Sequence, residues 1–282
     1  MIRVLDAGFY TTVQDRGRFG FRDLGVPVAG VMDEGSAGVA NSIIGNEPDD
    51  ALFEVTTTGP RLEFTRETLV AVTGATVPVR LNGNDFPMNI PFQVFRGDIL
   101  SLGKISEGAR SYIAVSGGVK TEPVLGSRSF SRGITPWHVL EEGDELPQGE
   151  AELLPFNTAH HWRPVGLDRY VLEAYKGPEY HLPGEEEAGL LAGQPFTVSA
   201  KISRMGYRLN ETLSANSHSI ITSPVMPGTV QYTPGGDLII LMRDCQTTGG
   251  YPRILQLNRQ SIDVLAQKKR GDQIRFKILP VL

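Results

Sequence analysis

Apolar residues in this chain come in short runs separated by Gly, Pro and Asn, a pattern of many turns between short strands. Arg61–Phe64, Leu69–Thr73 and Val77–Leu81 are β-rich segments, and the last runs into Asn82-Gly83. Both residues of that pair tolerate the positive φ of a type I′ turn, so a hairpin is predicted there. Phe92–Phe95, Ile99–Leu102 and Tyr112–Ser116 continue the series. Tyr170–Tyr175, Ser219–Thr222, Leu238–Met242 and Ile274–Leu279 extend it through the second half. Helices are few. Asp33 is placed to cap one that runs through Ile44 and stops at Gly45-Asn46, because Asp accepts from orphan amides and Gly permits the αL exit. Gln260–Arg270 reads as a second, with Lys268, Lys269 and Arg270 against its negative end and Gly271 after it. Glu185–Ala192 is a shorter third. The pattern predicts a mostly-β protein with few short helices.

The series also echoes itself. Arg18-Phe-Gly-Phe-Arg22 matches Arg204-Met-Gly-Tyr-Arg208; each is followed by Pro-Val and a glycine, then by a hydrogen-bonding residue, Asp33 or Gln231. Arg96-Gly-Asp-Ile, Arg270-Gly-Asp-Gln-Ile and Glu142-Gly-Asp-Glu-Leu form a second echo, read as Gly-Asp turns feeding strands. Together they predict two similar β units, 1–155 and 156–282, with a boundary in the irregular stretch Pro147–Pro164.

Composition narrows the class. At 282 residues the chain can build one large core or two ordinary ones. A net charge of −5 and pI near 5.6 leave no basic face for nucleic acid. The longest aliphatic run, Leu238–Met242, falls far short of the ~20 residues of a membrane span. The opening MIRVLDAG lacks the apolar segment of a signal peptide, and Cys245, the single cysteine, excludes an internal disulfide. A cytoplasmic protein with no nucleic-acid or membrane partner is expected.

Standard signatures are missing: there is no Walker loop and no dinucleotide glycine fingerprint. His138, His160, His161, His181 and His218 lack helical metal spacing with an acidic partner, so no metal site is predicted. Polar function is instead dense in Thr11–Arg18, where Gln14, Asp15, Arg16 and Arg18 crowd together. A forked Arg binds carboxylate or phosphate bidentately, and an Asp orients that fork or acts as a base. A solvated turn with local ion pairs is the plainer reading. The recurrence of Arg204 and Arg208 shifts the balance toward two loops converging on one anion between the units. Asp244–Pro252 is the second dense segment: Asp244, Gln246, Thr247 and Tyr251 offer polar groups, and Gly249-Gly250 let backbone amides approach a ligand. Cys245 within it is a nucleophile or, more plainly, a small buried filler. Arg110, Ser127, Arg128 and Ser129 form either an anion-holding loop or a β-turn. Glu54, among apolar neighbours, is either an acid–base group of raised pKa or a satisfied structural carboxylate.

The blocks TTVQDRGRFGFRDLGVPVAGVMDEGSAGVANSIIGN, FEVTTTGPRLEF, GARSYIAVSGGV with LGSRSF, and DCQTTGGYP together resemble the signature blocks of one family. It is the allophanate hydrolase subunit 2 family, also called the biotin-dependent carboxyltransferase family or the family of 5-oxoprolinase C subunits. The resemblance runs in order from about Val4 to Leu257. It implies two cyclophilin-like β-barrel units, and partnership with a homologous B-type subunit (allophanate hydrolase subunit 1 type) and an A-type subunit. Three activities are implied as alternatives: ATP-dependent opening of 5-oxoproline to glutamate with the A- and B-type subunits, carboxyl transfer from carboxybiotin to urea, or antagonism of an inhibitor of a sporulation histidine kinase. The chain has neither a biotin carboxylase region nor a Lys flanked by Met, so no covalent biotin is expected on it. A stand-alone subunit fits the 5-oxoprolinase arrangement, with ATP as the cofactor of the complex. Under that reading Asp15, Arg18, Arg204 and Arg208 are the catalytic set, the arginines holding substrate carboxylate or phosphoryl oxygens. Substrate or nucleotide contacts fall to Gln14, Asp33, Glu54, Arg110, Ser127, Arg128, Gln231, Asp244, Gln246, Thr247, Gly250 and Tyr251. No general base is assigned.

Overall fold

The structure, a computed structural model, describes residues 1–136, 139–150 and 167–280. The expected boundary near residue 155 lies outside the described residues, as do His138, His160 and His161. The chain divides into two compact units. The first holds Met1–Arg18 and Ala29–Leu167; the second holds Phe19–Val28 and Asp168–Leu282. Ten residues of the first signature block therefore belong with the second half.

In the first unit the elements are β1 (Ile2–Asp6), β2 (Tyr10–Gln14), α1 (Glu34–Ile43), β3 (Leu52–Thr56), β4 (Arg61–Phe64) and β5 (Thr68–Thr76). They continue with β6 (Val79–Leu81), β7 (Asn84–Phe86), β8 (Pro91–Val94), β9 (Ile99–Leu102), β10 (Glu107–Val115) and β11 (Glu145–Leu146). Six strands form a sheet in the order β11-β1-β4-β9-β6-β7, and five form another, β2-β3-β10-β5-β8. One core joins them: Ile2, Val4, Leu62, Phe64 and Leu100 of the first sheet pack with Phe53, Val55, Val70, Val72 and Ile113 of the second. Because strand side chains alternate, the intervening Leu52, Leu69, Ala71, Tyr112 and Ala114 point the other way. There they pack with Ala37, Ala40 and Ile44, from α1 and its C-terminal end. The five-stranded sheet is thus buried on both faces, which is why its segments read as continuous apolar runs.

Local turn chemistry follows the sequence closely. Asn82 and Gly83 adopt φ of 52° and 84°, both positive, as a type I′ hairpin between β6 and β7 requires. Gly97, Gly143 and Gly271 all adopt positive φ, and the Asp after each folds back. Asp98, Asp144 and Asp272 accept from the backbone N–H of Phe95, Glu141 and Lys269 at 2.8, 2.8 and 2.9 Å. The three Gly-Asp echoes are one turn used three times, each opening the strand that follows it.

The second unit contains β12 (Val171–Lys176), α2 (Glu185–Gly193), β13 (Phe196–Ile202), β14 (Gly206–Leu209), β15 (Ser223–Pro224) and β16 (Thr229–Tyr232). It ends with β17 (Leu238–Leu241), β18 (Thr248–Gly249), β19 (Arg253–Leu257), α3 (Arg259–Ala266) and β20 (Gln273–Leu279). Seven strands close a barrel, β12-β19-β16-β17-β14-β13-β20, and β15 pairs with β18 as a separate ribbon. The chain is mostly β, with sheets and barrel consistent with a cyclophilin-like fold. Two expectations are corrected. Ser219–Thr222 forms no strand: Ile221 is 91% exposed, and the segment lacks the alternating burial that would anchor a ladder. The helix expected over Gln260–Arg270 ends at Ala266, because Lys268 is buried and Lys269 is drawn into the Gly271-Asp272 turn.

Candidate functional site

In the first unit, Asp15 and Arg18 organise one loop. Asp15 Oδ1 accepts from Ser127 Oγ at 2.7 Å, Ser129 Oγ at 2.5 Å and Gly17 N at 2.8 Å, while Oδ2 accepts from Arg128 N at 2.6 Å. Arg18, fully buried, donates from Nε to the Val124 carbonyl at 2.9 Å and from Nη2 to the Ser129 carbonyl at 2.8 Å. Leu125 and Gly126 turn the chain with φ of 51° and 76°, closing Val124 onto Ser127. The donors of the Gly-Ser-Arg-Ser segment, seen as an anion-holding loop or a β-turn, are taken up inside the chain by the Asp15 side chain. Arg128 turns its guanidinium back to the Thr121 carbonyl.

The outer face of the five-stranded sheet carries a second cluster. Cross-strand register aligns Thr12, Glu54, Tyr112 and Thr73 in one row. Glu54 Oε2 accepts from Met32 N at 2.7 Å and Tyr112 Oη at 3.0 Å; Oε1 lies 3.8 Å from Arg110 Nε. Tyr112 Oη in turn accepts from Asp33 N at 2.8 Å, and Asp33 caps α1 through Ser36 N and Oγ at 2.9 and 2.6 Å. Burial, with Glu54 and Asp33 alongside, pushes the Tyr112 phenol well above its ordinary pKa. Glu54 therefore sits in a satisfied, buried network that fixes the entry to α1. Gln14, also buried, donates to Thr12 Oγ1 at 3.1 Å, and its Oε1 has no partner among the described residues.

The second unit presents a more open arrangement. Tyr207, Val230, Tyr232, Leu238 and Ile240 are almost fully buried, so the residues between them on β14, β16 and β17 face out of the barrel. Register then sets Arg208, Ile239 and Gln231 side by side. Above them runs the 244–251 loop. Arg204 grips Asp244 bidentately, Nε and Nη2 each 2.9 Å from a carboxylate oxygen. Arg22 donates to the Val225 and Thr247 carbonyls, tying 225 to 247 beside the β15–β18 ribbon. Gln246 Nε2 reaches Gln231 Oε1 at 3.5 Å. Tyr251 is exposed, with Gly250 beside it. Cys245 is buried with Val225 and Leu241, and burial raises its thiol to about 11, which leaves no thiolate at neutral pH. It is a core filler.

The structure thus gathers Asp15, Arg18, Ser127 and Arg128 in one network, Asp33, Glu54 and Arg110 in another, and Arg204, Asp244, Gln231 and Gln246 near a third. Arg208 pairs with Asp237 at 3.5 Å. Sequence reasoning passed over Tyr112 and Arg22, and it missed the close packing of Gly249 on Gln231. Only Arg22 carried a signal, as the echo of Arg208. None of the singled-out residues lines the cleft of about 630 Å³ beside Phe86 and Met88, or that of about 400 Å³ beside Glu173 and Ser261. Among the described residues no cluster of His, Cys, Asp and Glu could hold a metal ion, and no helix is long and apolar enough to cross a membrane.

Residues 24–278 match the family described as Carboxyltransferase domain, subdomain A and B, and the chain belongs to it. Along 98% of its length it is 33% identical to the 5-oxoprolinase C subunit of Escherichia coli (strain K12), covering 90% of that protein. It is 42% identical over 97% of its length to the urea amidolyase of Lachancea kluyveri, of which it spans 16%. The crystal structure of the K. lactis urea amidolyase superposes with a TM-score of 0.92 at 29% identity, covering 99% of this chain and 19% of that one.

Proposed function

We propose that this chain is the C-type component of an ATP-dependent 5-oxoprolinase, acting with A- and B-type subunits to open 5-oxoproline to glutamate. The supporting observation is the near end-to-end match to a protein of that name, 98% of this chain against 90% of the relative. Opening an unstrained lactam needs activation of a poor electrophile. ATP supplies a phosphoryl group for that purpose in the assembled enzyme. The Ser127–Ser129 loop does not fit a triphosphate, because its hydroxyls and the Arg128 amide are engaged by Asp15.

The chain's own contribution is placement. Arg204, locked to Asp244, holds the 244–251 loop, whose Gly249-Gly250 backbone and Thr247 and Tyr251 side chains can approach a bound molecule. Arg208 adds positive charge on the barrel face for a substrate carboxylate. Mixing this chain with its A- and B-type partners, 5-oxoproline and ATP should yield glutamate and ADP in step. A folded complex with no 5-oxoproline-dependent ATP turnover would sink the reading.

A second reading, carboxyl transfer to urea, draws on the 42% identity to the L. kluyveri urea amidolyase. In it the same arginine would hold the migrating carboxylate. Urea-stimulated decarboxylation of carboxybiotin by the complex is its assay.

A further inference from the structure

We infer that the outward row Arg208, Ile239 and Gln231 on the second unit's barrel is a substrate subsite, built for a small cyclic amide that carries a carboxylate. The inference rests on the proposed reaction and adds which atoms read which part of the molecule. Three adjacent strands set the row, β14, β17 and β16, with Arg208 opposite Ile239 and Ile239 opposite Gln231. Two strand spacings separate the outer residues by roughly 10 Å at Cα, within which Arg and Gln side chains reach over Ile239 toward each other. Ile239 is only partly buried and offers an apolar floor.

Gln231 supplies the strongest indication. It is 2% exposed, its Oε1 faces Gln246 Nε2 at 3.5 Å, and its Nε2 has no partner among the described residues. An unmet buried amide donor is costly, and native structures keep few without a reason. The loop above packs directly on it: a Cβ on Gly249 would lie 2.5 Å from Gln231 Nε2, so a methyl there would push the amide aside. A neutral donor held this way suits a neutral carbonyl oxygen. Arg208, about one-third exposed, makes one ion pair at 3.5 Å and no side-chain hydrogen bond among the described residues. A carboxylate could engage its fork. Carboxylate at one end, carbonyl at the other and methylenes between are the features of 5-oxoproline. Arg204 is not part of the subsite, since Asp244 already occupies its fork; it positions the roof.

The test is discrimination between analogues. Calorimetry on the assembled complex would compare 5-oxoproline with cyclopentanecarboxylate, a neutral ring that keeps the carboxylate and lacks the lactam, and with 2-pyrrolidinone, which lacks the carboxylate. The wild type should prefer 5-oxoproline over cyclopentanecarboxylate by roughly 10- to 100-fold, the range of one neutral hydrogen bond whose buried partner would otherwise go unmet. Gln231→Leu should erase that preference to within about threefold while retaining the preference over 2-pyrrolidinone. It should also melt no lower than wild type, because it removes an unmet donor and keeps the shape. Gly249→Ala, which pushes a methyl onto the amide, should lose the same preference with Gln231 intact. Arg208→Gln should lose the other one. A folded Gln231→Leu complex that still discriminates against cyclopentanecarboxylate overturns the subsite, whatever the turnover. If the wild type binds 5-oxoproline with this pattern but never hydrolyses it, the subsite stands and the reaction falls. No binding of 5-oxoproline by the wild type overturns both.

Discussion

Two arginine loops with the same spelling behave differently. Arg18-Phe-Gly-Phe-Arg22 sends its first arginine into a sealed interior, where it serves two backbone carbonyls. Arg204-Met-Gly-Tyr-Arg208 ends on a barrel face where Arg208 stays about one-third exposed. The first loop is closed by an internal anion, Asp15, with donors from Gly17, Ser127, Arg128 and Ser129 around it. The second leaves an amide donor unmet at Gln231. The repeated motif supplies a pair of cations but no shared turn, since Gly20 adopts positive φ ahead of a single 3-10 turn at Arg22–Leu24 whereas Gly206 opens β14. Whether those cations face a ligand depends on what the neighbouring loop brings, and only tertiary structure supplies that.

The largest expected effect lies in the closed loop. Asp15→Ala leaves two serine hydroxyls and two amides without their acceptor, and should cost about 3–5 kcal/mol in urea unfolding. Arg18→Ala should fall in the same range, by stripping donors from two buried carbonyls. If either variant lost less than about 1 kcal/mol yet lost activity, the closed loop would have to be reread as a ligand site.

Arg204→Ala should separate the two loops further. Its partner Asp244 retains some solvent access, so the stability loss should be smaller, about 1.5–3 kcal/mol. Turnover of the reconstituted complex should instead drop on the order of 100-fold, because the 244–251 loop loses its clamp. Arg204→Lys should recover little, since an ammonium cannot reproduce two parallel hydrogen bonds. Near-normal turnover in a folded Arg204→Ala complex would remove this loop from the site.

Among the groups that burial keeps protonated into alkaline pH are Tyr112 in the first unit and Cys245 in the second. Both folded pKa values are raised, so their contribution is complete below the unfolded value and lost as pH climbs toward the folded one. For Cys245 the unfolded thiol ionises near 9.0 and the folded one near 11, so stability falls across that interval. The loss amounts to about 2–3 kcal/mol. Cys245→Ala should flatten the interval in a pH series of urea midpoints. An unchanged slope would place the alkaline sensitivity elsewhere, with Tyr112 the next group to replace.

Much of this architecture could be read in advance where one local rule decides. Asn82-Gly83 needs only positive φ, and the Gly-Asp turns need only a carboxylate three residues past an amide. α1 starts from the reverse arrangement, Asp33 lying three residues before the amide that it accepts from. Legibility ended where burial decided. Ile220, Ile221 and Thr222 have strand chemistry but meet solvent, and Lys268 looks like a helix-end cation but is buried. At the site, sequence could find Asp15 and Ser127 but not that they satisfy each other. Tyr112 looked like an ordinary strand aromatic, and Gly249 drew no notice beyond backbone flexibility. It packs against a side chain eighteen positions earlier, Gln231, which no local pattern connects to it.

The smallest expected difference concerns two helices started by nearly the same device. Asp33 accepts from Ser36 N at 2.9 Å in the first unit, and Asn258 accepts from Ser261 N at 2.9 Å in the second. Asp33 also accepts from Ser36 Oγ at 2.6 Å, and its charge favours the positive end of α1. Asn258 instead directs its amide to Glu173 at 3.0 Å, on the adjoining strand β12. Alanine at Asp33 should therefore cost about 2 kcal/mol and alanine at Asn258 about 1. Hydrogen exchange localises the two losses: amides in the first turn of α1 should deprotect more after Asp33→Ala than those of α3 do after Asn258→Ala. Equal deprotection would mean that charge and the second hydrogen bond add nothing at Asp33. The two units would then differ in what their loops enclose and not in how their helices begin.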